Sequence, residues 1–446
     1  MKRALTFTVP LMARRTLSLE LLATLFFAVT LGFLEAGTVS VFLKRVFDGT
    51  TDRAAGNLAV VLAGSASEIA NIVSFGWIAM SHARPKVRFI NCLQAGVVVC
   101  VGCIAFVPQT GGGLWTALAL VMLARICWSG IVTLRTSIWR SNYPREVRAR
   151  VVGRISIITQ IVIATAGLGV GAALDWNVES FRVLAPLMAM IGIVGIGFYG
   201  RIRPRGERLA LVQERAQPRA AGVMRPWMGI VSVHRILRSD RRFAQFMAFM
   251  FLLGLGNLMV VPTLVLALNE RFNLGDDPFK ASVLVTTLVP SILMPLAVPM
   301  WASLLDRAHV VKFRAIHGWA FVLASTLFTI GAATLSYPIV VAGSVAWGIA
   351  TGGGAVAWNI GHTDFSPPGA TSHYMATHVT LNGIRGLIAP LLAVGMYHWL
   401  SNHRDALPVE PAAMVLGVTC VLSVSGTMGF AWLRRSMNVA GRPPEA

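Results

Sequence analysis

Twelve apolar stretches run through this chain, at about 18–43, 57–81, 88–107, 114–138, 151–174, 182–200, 243–267, 280–304, 312–333, 338–361, 373–398 and 411–433. Each reaches the roughly 20 residues that a helix needs to cross the hydrocarbon core of a bilayer. Lipid offers no partner for a backbone N–H or C=O, so each crossing segment must be helical. Only 13% of the 446 residues are charged, against about 25% in a soluble domain. The expected fold class is therefore an all-α integral membrane protein with twelve transmembrane helices.

The plan is doubled. Trp77 to Phe89 and Trp301 to Phe313 place Trp, a basic residue (Arg88, Lys312) and Phe in register, 224 residues apart. Each copy follows a long apolar segment and contains a basic turn. At an offset of 223, Tyr143-Pro144 and Ser366-Pro367-Pro368 close the fourth and tenth segments, and Gly130 and Gly352-Gly353-Gly354 lie near their middles. Small residues there let helices approach closely. Two pseudo-symmetric six-helix bundles are expected, 1–200 and 242–446. The linker between them, 201–241, has apolar residues at helical spacing between Trp227 and Leu237, which reads either as an amphipathic helix on the inner leaflet or as plain connection.

The net charge of +20 raises the question of nucleic acid, and its placement answers it. With the N-terminus inside, the tail, the loops on that side and the C-terminus hold 29 Lys and Arg; the opposite side holds 7, and Arg125, Arg135 and Arg385 lie inside spans. This is the positive-inside bias, so both termini are expected in the cytoplasm of a multi-pass protein of the cell inner membrane. The basic excess then meets anionic membrane lipid rather than nucleic acid. The first segment is too long for a signal-peptide core, which makes it an uncleaved span. All five cysteines fall inside spans and read as packing. No phosphate-binding Gly-Lys-Ser/Thr loop, HExxH or nucleophile elbow occurs, so an enzyme, a cofactor and a metal are not expected.

Twelve spans, a six-plus-six repeat and a basic turn after spans two and eight resemble the major facilitator superfamily over most of the chain. Gly76, Arg84, Lys86 and Arg88 are similar to the skeleton of its signature turn, although the acidic residue is missing between Met80 and His82. The second turn keeps Asp306-Arg307 and Lys312. Arg125 followed by Gly130 resembles the span-four signature. Gly167, Gly169 and Gly171 match the antiporter signature of span five in part, without its proline. The resemblance implies that spans one, two, four, five, seven, eight, ten and eleven line a central cavity, and that the turns gate the cytoplasmic side. Arg84, Lys86, Arg88, Asp306, Arg307, His362 and Asp364 are the gate candidates.

An ionisable residue inside the membrane costs about 2.5–3.5 kcal/mol on insertion scales, so it marks function until shown otherwise. Glu35, Glu68, Arg125 and Arg385 are the mid-span charges, all on spans implied to line the cavity. Glu35 and Glu68 are candidate proton carriers, or members of a permanent ion pair with Arg125. Arg125 and Trp128, one turn apart, suit an anionic group and a ring. Tyr374, His378, Asn382 and Arg385 form one face of span eleven, and Trp347, Thr351, Trp358 and His362 one face of span ten, with Asn359 close by. Trp358, Asn359, His378, Asn382 and Arg385 are accordingly candidate substrate contacts; the alternative is an interhelical hydrogen-bond network. His317, at the end of span nine, reads as interfacial. The expected function is secondary transport of a small organic solute, anionic or polar, coupled to protons, by a monomer. A proton-driven exporter of amphiphilic compounds, and a sensor that kept the fold, remain as alternatives.

Overall fold

The computed structural model describes residues 9–216, 226–272, 282–367 and 369–437. Among them are seventeen α-helices and no strand. They group into two compact units, one of residues 9–234 with 366–383, the other of residues 235–365 with 384–437.

In the first unit, α1 (Leu11–Leu34) and α2 (Ala36–Val46) form the first apolar segment. The second segment holds α3 (Arg53–Gly64), α4 (Ala66–Ile72) and α5 (Phe75–Ser81). Then come α6 (Lys86–Cys103), α7 (Gly111–Asn142), α8 (Arg145–Trp176), α9 (Phe181–Tyr199) and α10 (Glu207–Ala216). Helix α11 (Pro226–Ser239) covers the amphipathic stretch of the linker, with Val233 buried and Val231, His234 and Arg235 exposed. The other unit holds α12 (Arg241–Glu270), α13 (Val289–Arg307) after a π turn at Leu284–Leu288, α14 (Val310–Ala333), α15 (Tyr337–Ile360) and α17 (Pro411–Ser436). The remaining helix, α16 (Thr371–Asn402), gives residues 371–383 to the first unit and the rest to the second.

Eleven helices among the described residues are long and apolar enough to cross a membrane. Segment 57–81 departs from the expected single helix. Its first break falls at Gly64–Ser65, a Gly/Ser pair of the kind that bends helices. Its second falls at Val73–Ser74, where the Ser74 hydroxyl donates to the Ala376 carbonyl at 3.4 Å and meets Thr380 Oγ1 at 3.2 Å. Segment 18–43 is likewise divided, with Glu35 in extended conformation (φ −59°, ψ 138°) between two helices.

The repeat persists at atomic detail. Trp77 Nε1 donates to the Ile126 carbonyl at 2.9 Å, and Trp301 Nε1 to the Ile349 carbonyl at 2.8 Å. Each indole also meets a phenylalanine ring edge to face, Phe89 at 6.3 Å and Phe313 at 5.9 Å. Each packs on a glycine of the span it bonds. A Cβ on Gly130 would lie 2.7 Å from Leu93 and 2.8 Å from Trp77, and one on Gly353 would lie 2.8 Å from Trp301. No side chain fits either slot without moving an indole that already holds a hydrogen bond. Gly130→Val is therefore expected to lower stability by about 1–3 kcal/mol, the usual cost of overpacking. Thermal unfolding of the purified protein in detergent reads this directly, and an unchanged midpoint would mean that the helices separate freely there.

A buckle closes one end of the second unit. Glu410, which precedes α17, accepts two bonds from Arg271 (Nε and Nη2, both 3.1 Å) and one from Arg404 Nη2 at 2.9 Å. The Arg271 hydrogen bond, with the charges of Arg271 and Arg404, holds the Glu410 carboxyl below its ordinary 4.5. A carboxyl depressed in the folded state stabilises above its unfolded pKa and loses that contribution as pH falls through the folded value. Wild type is expected to exceed Glu410→Gln by about 1–2 kcal/mol near neutrality, allowing for partial exposure. The gap closes as pH drops below about 4.5, which unfolding midpoints across pH will test.

Candidate functional site

The broken spans of the first unit converge on charge. Where α1 ends at Leu34, its last carbonyl has no helical partner, as at any helix end. Arg125 of α7 supplies one: its Nη2 donates to Leu34 O. The same nitrogen lies 3.9 Å from Glu35 Oε2, with the arginine side chain 12% exposed and the glutamate 53%. Glu68 sits on α4, the short middle piece of the second segment, and acts electrostatically on both Arg125 and Glu35. All three mid-span charges predicted for this bundle thus come together, and they do so where two spans are interrupted.

Trp128, expected beside Arg125 as a ring contact for the solute, packs within the bundle. Its ring stacks on Phe27 at 6.1 Å and lies under the guanidinium of Arg135, seven residues further on, at 5.3 Å. Trp139 covers the same guanidinium at 4.6 Å. Trp139 Nε1 donates at 3.0 Å to Glu20 Oε2, and Glu20 is 2% exposed. Glu20, buried, and Arg135, half-buried, are thus polar residues that the sequence analysis did not count among the mid-span charges. The signal was present, since both fall inside the apolar segments 18–43 and 114–138, but each reads as an edge residue there. Beside them is a cavity lined by Gln94, Trp128, Arg135, Thr159 and Tyr199, among others.

The face predicted for span eleven is shared between the units. Tyr374, His378 and Asn382 belong with the first unit, and Arg385 with the second. In the first unit Gly383 approaches the Glu68 backbone so closely that a Cβ would lie 2.5 Å from its carbonyl oxygen. Tyr374 and His378 are buried. In the second unit Arg385, 7% exposed, donates from Nη1 to the Met250 carbonyl at 2.6 Å and lies against Gly254, whose missing side chain makes the room. Trp347 Nε1 donates to Asn257 Oδ1 at 2.5 Å, which ties span ten to span seven. Asn359 Nδ2 donates to Ala355 O at 2.8 Å within its own helix, and Trp358 is half-buried.

His317 is not interfacial. It is fully buried, with Trp301, Phe313 and Phe321 around its ring at 4.8–5.2 Å. Its Nε2 lies 2.7 Å from the Ala350 carbonyl, which fixes the proton there and leaves Nδ1 to accept from Arg314 Nη1 at 3.4 Å.

The two basic turns are built differently. Lys86 Nζ donates to Ser81 O at 2.8 Å and to Glu214 Oε2 at 2.9 Å, and the same Oε2 accepts Ala83 N–H at 2.9 Å. Ala83 holds a left-handed φ of 57°. The carboxylate absent from this turn is thus supplied by α10 of the linker. Arg84 and Arg88 are exposed, and Arg84 lies over the Phe89 ring at 5.9 Å. In the second turn Asp306 is buried, Arg307 is exposed, and Asp364 Oδ2 accepts the Val310 N–H that opens α14 at 2.8 Å. His362 and Asp364 lie on a 3₁₀ turn, Gly361–Asp364, rather than on the helix expected for them.

Several solved structures share this architecture. The proton:xylose symporter XylE bound to 6-bromo-6-deoxy-D-glucose matches with a TM-score of 0.69 at 12% identity, over 94% of this chain and 95% of that one. The human organic anion transporter MFSD10 (TETRAN) matches with a TM-score of 0.62 at 15% identity, over 94% and 99%. The E. coli fucose:proton symporter FucP matches with a TM-score of 0.57 at 12% identity, over 94% and 99%. At these identities the likeness is one of fold. No curated protein matches the sequence. The family model of the Major Facilitator Superfamily matches residues 25–390, most of the chain. With its helices of membrane-crossing length, its doubled plan and that match, the chain belongs to the Major Facilitator Superfamily, a family of multi-pass membrane transporters rather than enzymes.

Proposed function

We propose that this transporter moves a small organic solute with an anionic or strongly polar group, coupled to protons, by alternating access. The observation that carries the coupling is the meeting of Glu35, Glu68 and Arg125 at the breaks of spans one and two. Interrupted helices near the midplane are where secondary transporters place substrate and ion sites. Two carboxylates against one guanidinium leave one acid in excess, and that acid loads and releases the proton. The residues proposed to contact the solute are Arg125, Trp128, His378 and Asn382 in the first unit, and Trp358, Asn359 and Arg385, the anchor for an anionic group, in the second. Arg84, Lys86, Arg88, Asp306, Arg307, His362 and Asp364 close the cytoplasmic side. The basic excess on one side supports cytoplasmic termini, in keeping with a multi-pass protein of the inner membrane. Two of the similar structures being proton symporters, and one an organic anion transporter, agrees with this reading.

The test is uptake of labelled organic acids, sugars and amphiphilic cations into proteoliposomes, with each class competing against the others. Saturable uptake of an organic acid, competed by other acids and driven by a pH gradient, is expected. Competition by amphiphilic cations alone would replace this reading with that of a proton-driven exporter.

A further inference from the structure

The two halves of the repeat part company at one position. Five residues after Trp301 stands Asp306, buried in the second basic turn; five residues after Trp77 stands His82. No Asp or Glu occurs anywhere from Trp77 to Phe89. The backbone of this first turn uses a carboxylate all the same. Ala83 is held at φ 57°, a left-handed conformation uncommon for a residue with a Cβ. One oxygen of Glu214 accepts the Ala83 N–H and the Lys86 ammonium, each at 2.9 Å. Bonds to an ionised acceptor are about twice as strong as neutral ones.

Glu214 suits the turn better than it suits its own helix. It lies in the last turn of α10, where a negative charge opposes the helix dipole. Glu207 and Leu211, on the same side of the helix, are half-buried like Glu214, whereas Leu209, Val212 and Arg215 are exposed. One face of α10 therefore lies on the first unit. Its entrance is tied as well, since the Arg205 N–H donates to Asn142 Oδ1 at 2.9 Å, at the end of span four.

We propose that Glu214 is the latch of the cytoplasmic gate: its carboxylate holds Ala83 and Lys86 while the end of span two is closed, and the gate opens when α10 lifts from the turn. This rests on the alternating-access reading above, which gives the basic turns their closing role. The moving part is α5, seven residues between the break at Val73–Ser74 and the turn. At that break Ser74 packs on Thr380, which is 1% exposed. A released turn lets α5 swing about the break and uncover Thr380. The second turn has Asp306 within it and Asp364 on the first N–H of α14, and so needs no linker helix. Closure of the first half is thereby controlled from the linker.

The test is the rate at which a maleimide alkylates the cysteine of Thr380→Cys in the purified protein. Cys127, buried in span four, is kept as an internal reference, and Cys92, Cys100, Cys103 and Cys420 are replaced by alanine. Glu214→Ala is expected to raise the rate at least about tenfold, the effect of one lost charge-assisted bond on an opening equilibrium, and to leave Cys127 as slow as before. Two second changes should bring the rate back by different routes. His82→Asp restores an acid at the register of Asp306, and Ala83→Gly lets the turn keep its left-handed backbone unaided. A rate unchanged in Glu214→Ala, an equal rise at Cys127, or a raised rate that neither second change lowers overturns the latch. The assay needs neither solute nor protons, so solute-driven flux separates the two readings. Flux with labelling unchanged in Glu214→Ala overturns the latch alone; faster labelling in Glu214→Ala, with no flux in wild type, overturns coupled transport and leaves the latch standing.

Discussion

Arg125→Ala is expected to abolish solute-driven proton flux, a fall of at least about 100-fold, and to destabilise the protein by about 1–3 kcal/mol. The physical reason is double. The substitution removes the donor to the Leu34 carbonyl, a helix-end group with no helical partner of its own. It also removes the cation facing Glu35 and Glu68, leaving two carboxylates close to each other. Arg125→Lys restores the charge but not the fork that reaches carbonyl and carboxylate together, so it should recover stability in part and flux hardly at all. Flux in proteoliposomes and unfolding in detergent, measured on the same preparations, check both halves. An Arg125→Ala protein that still couples would reduce this cluster to a structural brace.

The second large effect concerns Arg385. Arg385→Ala should weaken binding of an anionic solute by about 2–5 kcal/mol, the usual cost of truncating one partner of a desolvated charge pair, while binding of a neutral analogue changes little. Arg385 fills the space left by Gly254 and bonds the Met250 carbonyl, so some stability is lost as well. The comparison between charged and neutral solutes isolates the binding part, because a purely structural arginine would shift both equally. Equal loss for both solutes in a binding titration would remove Arg385 from the substrate site.

The architecture was legible because apolar length and backbone chemistry leave a membrane chain few choices, and because the repeat of Trp77 and Trp301 is written in the sequence. Gly130 and Gly353 are legible for the same reason: each receives the indole of its own half. The division of segment 57–81 was not, since Ser74 acts through a partner some 300 positions away. Trp128 was read beside Arg125 on spacing alone, which did not show that Arg135, seven residues on and leaning towards the N-terminus, lies over its ring. His317, Glu20 and Arg135 stand near the ends of apolar segments, where position alone cannot distinguish an interface from a core. Three aromatic rings decide the case for His317, and two indoles for the Glu20–Arg135 pair. Glu214 illustrates the same limit, since the carboxylate missing from the first basic turn arrives from a linker helix 131 residues away.

The most direct measurement is the pH inside proteoliposomes as solutes are added, for wild type, Glu35→Gln and Glu68→Gln. The account predicts a solute-dependent proton flux in wild type that disappears in at least one of the two variants. Solute uptake without any pH change in wild type, or flux at the wild-type rate in both variants, would contradict it.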